Sequence, residues 1–270
     1  MNNTILRALT GSVYVALVVF SALSGTPYLV AFFVLILGFG TREVVRLFQD
    51  KGGVYPLWVW ISNLSIFSLI ALHVLHGMEA ELIWLSLLPI VILFCYQLFQ
   101  MPNDENKFAL QNSLLAIAYI SIPLVLSIIL ANQNTFLVLA IFIMLWANDT
   151  LAFVFGKWLG KNKLFERLSP KKTIEGFIGG MIGSLVAGLI ISHYHHEVNV
   201  AYWIVISLVV SVAGTFGDLF ESMLKRNAGV KDSGNVIPGH GGVLDRLDSF
   251  LIAAPFVFFC TLLFEALGAL

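Results

Sequence analysis

The chain has 270 residues, of which 59% are hydrophobic and 11% charged, with 15 Lys and Arg against 16 Asp and Glu. A soluble domain is about 25% charged, so this composition excludes a water-soluble globule and fits a protein whose solvent is lipid. The formal net charge of −1 says little, because the placement of the charges matters more than their sum.

In chain order, the apolar runs predict about nine spanning helices, each near the ~20 residues a bilayer requires. They cover 8–23, 27–45, 57–75, 81–100, 108–130, 135–156, 176–192, 200–222 and 247–267. The first run follows Arg7 and leads at once into the second, so it reads as a span and not as a cleaved leader. The first and seventh are short enough to be tilted or re-entrant. Pro27, Pro56 and Pro102 fall in or beside connections. Pro89, Pro123 and Pro255 fall within spans, where neighbouring helices can satisfy the freed carbonyls. Cys95 and Cys260 lie in apolar runs and read as buried free thiols. No polar stretch is long enough to bury a core of its own. The expected fold class is therefore all-α: a polytopic membrane protein with a polar cytoplasm-facing cavity. Residues 1–134 would supply the N-terminal helices and 135–270 the catalytic region of one continuous membrane domain.

With nine spans and the N-terminus inside, the inner segments are 1–7, 46–56, 101–107, 157–175 and 223–246. Arg42 lies one turn inside the second span, and every other Lys and Arg falls in an inner segment. The opposite loops hold Glu79, Glu81, Glu197 and several His, but no Lys or Arg. The positive-inside rule then places the basic loops in the cytoplasm.

Two inner segments are unusually polar: 156-GKWLGKNKLFERLSPKKTIEGFIGG-180 and 217-GDLFESMLKRNAGVKDSGNVIPGHGGVLDRLDSFLI-252. Beside them, Asp149 sits inside an apolar span, about 10 Å by helical rise from its inner end at Gly156. A carboxylate there is expected to face a wet cavity, a cation or a base. Asp218 repeats the situation near the end of the eighth span. Asp245 and Asp248, three residues apart, share one face at the start of the ninth. Two like charges on one face call for a cation between them. All-oxygen ligation suits Mg²⁺, and a second cation is possible. Asp218, Asp245 and Asp248 are thus the candidate metal ligands. Helix N-terminal charge compensation explains one aspartate there, but not three.

The cations point to a phosphate-bearing substrate. Ser222, Lys225 and Arg226 follow Asp218 at helical spacing. Ser169-Pro170-Lys171-Lys172 reads as an N-cap, a proline at the first helical position and two lysines in the first turn. Lysine opposes the macrodipole there unless an anion is held between them. The turn 238-PGHGG-242 can bring backbone N–H groups close to a phosphate or a base. Glycines at 176, 179, 180, 183 and 188 in the seventh span read as a helix-packing stripe. The residues together describe phosphoryl or nucleotidyl transfer at a lipid head group.

The run 222-SMLKRNAGVKDSGNVIPGHGGVLDRLD-248 resembles, without a gap, the signature of the phosphatidate cytidylyltransferase (CDP-diacylglycerol synthase) family. The matching positions are Ser222, Lys225, Arg226, Lys231, Asp232, Gly234, Pro238, His240, Gly241, Gly242, Asp245, Arg246 and Asp248. Supporting matches are 148-NDTLA-152, 155-FGK-157 and 169-SPKKTIEG-176. Leu151, Phe153 and Ile174 stand where the family often has Gly, Tyr and Trp. The resemblance implies the reaction of CTP with phosphatidate to give CDP-diacylglycerol and pyrophosphate. It implies a catalytic set of Asp218, Asp245, Asp248, Lys225 and Arg226. The substrate-binding set would be Asp149, Ser169, Lys171, Lys172, Ser222, Lys231, Asp232, His240, Gly241, Gly242 and Arg246. CTP, phosphatidate and the bilayer are the expected partners, with a homodimer possible and no nucleic acid. The expected location is a bacterial inner membrane. Two other readings are another CTP-using or CDP-lipid enzyme, such as a polyprenol kinase or a CDP-alcohol phosphotransferase, and an ion-coupled transporter using Asp149 and Asp218. The basic 157–175 loop counts against the transporter.

Overall fold

The computed structural model describes residues 3–49, 52–101, 106–196 and 198–268. Lys51, Pro102 and Glu197, which the sequence places in connections, lie outside them. Among the described residues, nine helical segments are long and apolar enough to cross a membrane. They are α1 (Asn3–Leu23), α2 (Thr26–Gln49), α3 (Pro56–His76), a 3₁₀ turn (Ala80–Leu87) running into α4 (Leu88–Leu98), α5 (Ala109–Gln133), α6 (Thr135–Trp158), α7 (Ile174–Tyr194), α8 (Val200–Asn227) and α9 (Leu244–Ala266). In lipid a backbone must satisfy its own hydrogen bonds, which leaves the helix as the default for each apolar run.

The fourth span departs from the single helix expected over 81–100. Pro89 stands in the first turn of α4, where its missing N–H costs nothing, and the preceding residues wind as a 3₁₀ helix. Cys95 is exposed on α4 and Cys260 is half-exposed, so neither is the buried thiol expected. On a lipid-facing helix an outward thiol remains in apolar surroundings, so burial in protein is not required.

The chain forms two compact units. The first comprises Met1–Thr135 with Leu224–Arg246, and the second Phe136–Met223 with Leu247–Leu270. The segment 224–246 groups with the N-terminal helices and not with the rest of the C-terminal half. In the first unit α5 packs on α2 and α3, and α1 packs on α2. A buried polar chain ties the three central helices. The Asn63 amide on α3 donates to Thr41 Oγ1 on α2 (2.9 Å), and the Ser121 hydroxyl on α5 donates to Asn63 Oδ1 (2.7 Å).

In the second unit the glycine stripe on α7 meets α6. A Cβ at Gly176 would lie 2.9 Å from the Ala152 carbonyl, and one at Gly180 would lie 2.6 Å from Asn148 Oδ1. The stripe packs helices, as its spacing predicts. Phe142 on α6 stacks on Phe250 of α9 at 4.4 Å.

Residues 159–173 overturn one expectation. Ser169 does not cap a helix, and Lys171 and Lys172 are not in a first helical turn. Lys163–Phe165 (β1) and Ser169–Thr173 (β2) form an antiparallel hairpin, with Lys163 opposite Thr173 and Phe165 opposite Ser169. Helix α7 begins at Ile174, capped by Thr173, whose hydroxyl accepts from Gly176 N (3.1 Å). The physical reasons are local. Proline pushes the residue before it to an extended conformation, and two lysines are unfavourable against the positive end of a helix. Glu175, in the first turn, suits that end and accepts from the backbone of Lys161 (3.1 Å) and the amide of Asn162 (2.8 Å).

Candidate active site

In the second unit, α8 contributes Asp218 and Glu221, and α9 contributes Asp248. One carboxylate oxygen from each lies within 4.8 Å of the others. Glu221 is fully buried. The approach of the two helices depends on Gly217, where a Cβ would lie 2.9 Å from Ser249 Cα. Lys172, from β2, forms an ion pair with Asp218. Ser222 donates to the same carboxylate at 3.4 Å. Asp248 accepts from Ser249 N at 2.6 Å. A cavity of about 400 Å³ opens beside this group, lined among others by Asp149, Lys157, Lys171, Lys172 and Asp218. Asp149 is exposed within its helix and lines this cavity. The adjacent Asn148 amide donates to it at 3.3 Å and is itself held by Ser211 (2.6 Å).

The hairpin also borders an apolar groove of about 780 Å³. Phe165 and Leu168 line it together with Val212, Phe216, Phe220 and Phe256.

In the first unit, Asp245 has a different environment. Its Oδ1 pairs with Lys225 Nζ at 2.6 Å, and both side chains are nearly buried. Its Oδ2 accepts from Ser233 N (3.0 Å), Ser233 Oγ (3.0 Å) and Gly242 N (2.7 Å). Beside it Glu43, buried on α2, accepts from Ser233 Oγ (3.0 Å), Val243 N (3.0 Å) and Leu244 N (2.9 Å). These last two N–H groups open α9 and have no partner within the helix. Glu43 satisfies them and places negative charge at the positive end of the dipole. Gly242 makes this possible, because a Cβ there would lie 2.5 Å from a Glu43 oxygen. Gly241 turns the loop with φ +83°, a conformation that favours glycine. The PGHGG turn therefore brings its Gly242 N–H to a protein carboxylate, with Ile237 N bonded across the turn to Gly241 O (2.9 Å).

The remaining sequence candidates are placed as follows. Arg226 donates to the Val230 carbonyl (3.0 Å) and closes the end of α8. Lys231, Asp232, His240, Gly241 and Arg246 line a second polar cavity in the first unit. Ser169 lies on β2 opposite Phe165. Glu43 and Glu221 escaped the sequence reading. Glu221 had a signal, since it follows Asp218 by three residues and so shares its helix face. Glu43 stood in 37-LGFGTREVV-45 as an acid within an apolar run, next to an arginine that accounts for it as a surface pair.

Donor chemistry and spacing let the Asp218, Glu221 and Asp248 group accept a hard divalent cation: three carboxylates, no sulfur or imidazole, and a lysine already balancing one charge. Comparison with known proteins identifies the family. The profile of the Cytidylyltransferase family matches residues 5–264. The chain is similar to the phosphatidate cytidylyltransferase of Staphylococcus saprophyticus, at 35% identity over 78% of this chain and 73% of that one. It is similar to its counterpart in Staphylococcus haemolyticus, at 35% over 73% and 69%. With that of Staphylococcus aureus it shares 41% identity over 56% of this chain and 60% of the other. With the family match running nearly end to end, the chain belongs to the cytidylyltransferase family.

Proposed function

We propose that the protein transfers the cytidylyl group of CTP to phosphatidate, giving CDP-diacylglycerol and pyrophosphate. The observation that carries this reading is the Asp218–Glu221–Asp248 group, with Lys172 paired to it, beside a cavity in a membrane-spanning member of this family. A phosphatidate oxygen forms the new bond to the α-phosphorus of CTP, and the bond to the pyrophosphate oxygen breaks. The lipid phosphate is a monoester with a second pKa of about 6, so it is largely ionised at neutral pH and needs no general base.

The residues would hold and orient. Asp218, Glu221 and Asp248 would hold Mg²⁺, which when bound neutralises phosphate charge and stabilises the leaving pyrophosphate. Lys171 and Lys172 supply cations to the lipid phosphate, with the hairpin fixing their position. Ala152, Phe153, Leu164 and Phe177 line the same cavity, so part of its wall is apolar, which suits a lipid head group and its glycerol. The neighbouring groove is chemically suited to an acyl chain, and it shares the hairpin with that cavity. The basic loops would face the cytoplasm, where CTP is supplied. Asp245 as a further metal ligand is a separate proposal, since its oxygens already hold Lys225 and the loop. The kinase and transporter readings have no observation in their favour.

The test is direct. Purified protein in proteoliposomes, given CTP, phosphatidate and Mg²⁺, should form CDP-diacylglycerol and pyrophosphate in equal amounts. Absence of that lipid, with the protein folded, would refute the reading.

A further inference from the structure

The hairpin between α6 and α7 lies wholly within the second unit and joins the ends of two consecutive spans, Trp158 and Ile174. It is therefore held at one face of the bilayer. Its side chains are of mixed character. Between Lys157 and Lys171 stand five basic residues and one acid, Glu166. All five basic side chains are exposed. Apolar side chains are exposed beside them: Trp158 at 77%, Leu159 at 57% and Phe165 at 45%. A loop in bulk water gains nothing from exposing such groups, whereas the boundary between head groups and hydrocarbon suits both kinds.

The tip of the hairpin fixes its depth. Phe165 and Leu168 line the apolar groove with Phe216 and Phe256, which are exposed on the spanning helices α8 and α9. An exposed phenylalanine on a spanning helix faces lipid. Arg167 stands between Phe165 and Leu168 in sequence, so its stem starts beside lipid and its guanidinium reaches the head groups.

These charges are not consumed within the protein. Glu175, at the base of the hairpin, is turned to the backbone of Lys161 (3.1 Å) and Asn162 (3.2 Å). Lys163 Nζ donates across the hairpin to the Pro170 carbonyl (2.6 Å), which fixes it and leaves two donors. Among the described residues no carboxylate forms an ion pair with Lys161, Lys163 or Arg167, whereas Lys172 is turned inward to Asp218. Lys161, Lys163 and Arg167 line neither the lysine-bearing cavity nor the groove, so the reaction leaves them without a role. Fixed cations beside exposed aromatic groups at a membrane face match a leaflet that carries anionic lipid. A soluble acidic partner would account for the cations and leave Trp158 and Phe165 unexplained.

We propose that Lys161, Lys163 and Arg167 form a docking edge for the anionic phospholipids of the surrounding leaflet, with Trp158 and Phe165 seated among their chains. The edge gathers anionic lipid where the groove and the lysine-bearing cavity both meet the hairpin. It goes beyond the catalytic reading and does not require it.

The test uses the full-length protein in an uncharged detergent. It is titrated with phosphatidylglycerol or with phosphatidylcholine of the same acyl chains, and native mass spectrometry counts the lipid retained. The wild type should retain phosphatidylglycerol in preference. Each basic side chain near an anionic surface contributes about fivefold. Lys161→Gln combined with Arg167→Gln should therefore cut the preference about 25-fold. Lys161→Arg combined with Arg167→Lys should keep it, because charge and not side-chain shape is read. Equal retention of the two lipids by the wild type overturns the proposal. An unchanged preference in the Gln double variant does so too, and leaves the basic residues as orientation signals only. Should that variant fail to insert, Arg167→Gln alone reads the same outcomes at about fivefold. Lipid retention needs no turnover. If the wild type makes no CDP-diacylglycerol yet shows a preference that depends on Lys161 and Arg167, the enzyme reading fails and the docking edge stands. If it makes that product and the preference ignores both residues, the docking edge alone fails.

Discussion

Asp218, Glu221 and Asp248 bring three carboxylates together on helices that are otherwise largely apolar. Of the three, Glu221 required the fold, since the i, i+3 spacing gives only its helix face and not the approach of α9 at Gly217. We expect Asp218→Asn, Glu221→Gln and Asp248→Asn each to cut turnover by orders of magnitude, with a raised Mg²⁺ requirement in the residual activity. Asp149→Asn, which alters a cavity wall, should cost less. A larger loss at Asp149, with a steeper Mg²⁺ dependence, would make it a ligand. Asp245→Asn should also inactivate, by loosening the loop that Ser233 and Gly242 hold to it. If its activity instead returned at high Mg²⁺, Asp245 would be a metal ligand in its own right. Glu43 makes a stability prediction. Glu43→Ala strands the N–H groups of Val243 and Leu244, and each buried unsatisfied group costs about 1–3 kcal/mol. The unfolding midpoint of the detergent-solubilised protein should fall markedly, and an unchanged midpoint would show that water replaces the carboxylate. His240 titrates below its ordinary value in the folded chain, because of partial burial and then Arg246 and Arg7. The unfolded state therefore binds more protons as pH falls past that value, so the contribution of His240 to stability is present above it and lost below. The imidazole NMR titration should show the low midpoint, and Thr10→Val, which removes the hydroxyl 2.6 Å from the ring's Nδ1, should move it.

The hairpin shows why sequence reading failed over 169–173. Serine, proline and two lysines fit a helix start by residue type, and the objection to lysines at that end was visible. What resolved it was pairing with Lys163–Phe165, a contact no local pattern announces. The function assigned to the lysines is independent of that error, because Lys172 still reaches Asp218. Lys172→Gln should lower kcat/KM by roughly ten- to a hundredfold, the worth of a contact to a charged group. If Lys171→Gln and Lys172→Gln left kinetics intact and scrambled only the topology, the pair would be orientation signals. The same hairpin walls the groove through Phe165. Phe165→Ala should weaken use of long-chain phosphatidate and spare a short-chain analogue. Equal effects on both would remove the acyl chain from that groove.

At the scale of the whole chain, hydropathy predicted nearly every helix, because bilayer thickness and backbone hydrogen bonding leave few alternatives. It could not predict that 224–246 would group with the N-terminal helices. That grouping depends on single buried groups such as Glu43, 200 residues from the Val243 N–H it accepts. The family membership points to attack at the α-phosphorus of CTP. The most direct measurement follows two labels in proteoliposomes with phosphatidate as the acceptor, one at the α- and one at the γ-phosphorus of CTP. The α label should enter the lipid and the γ label should leave as pyrophosphate. A γ label recovered in lipid would instead mean kinase chemistry and contradict cytidylyl transfer.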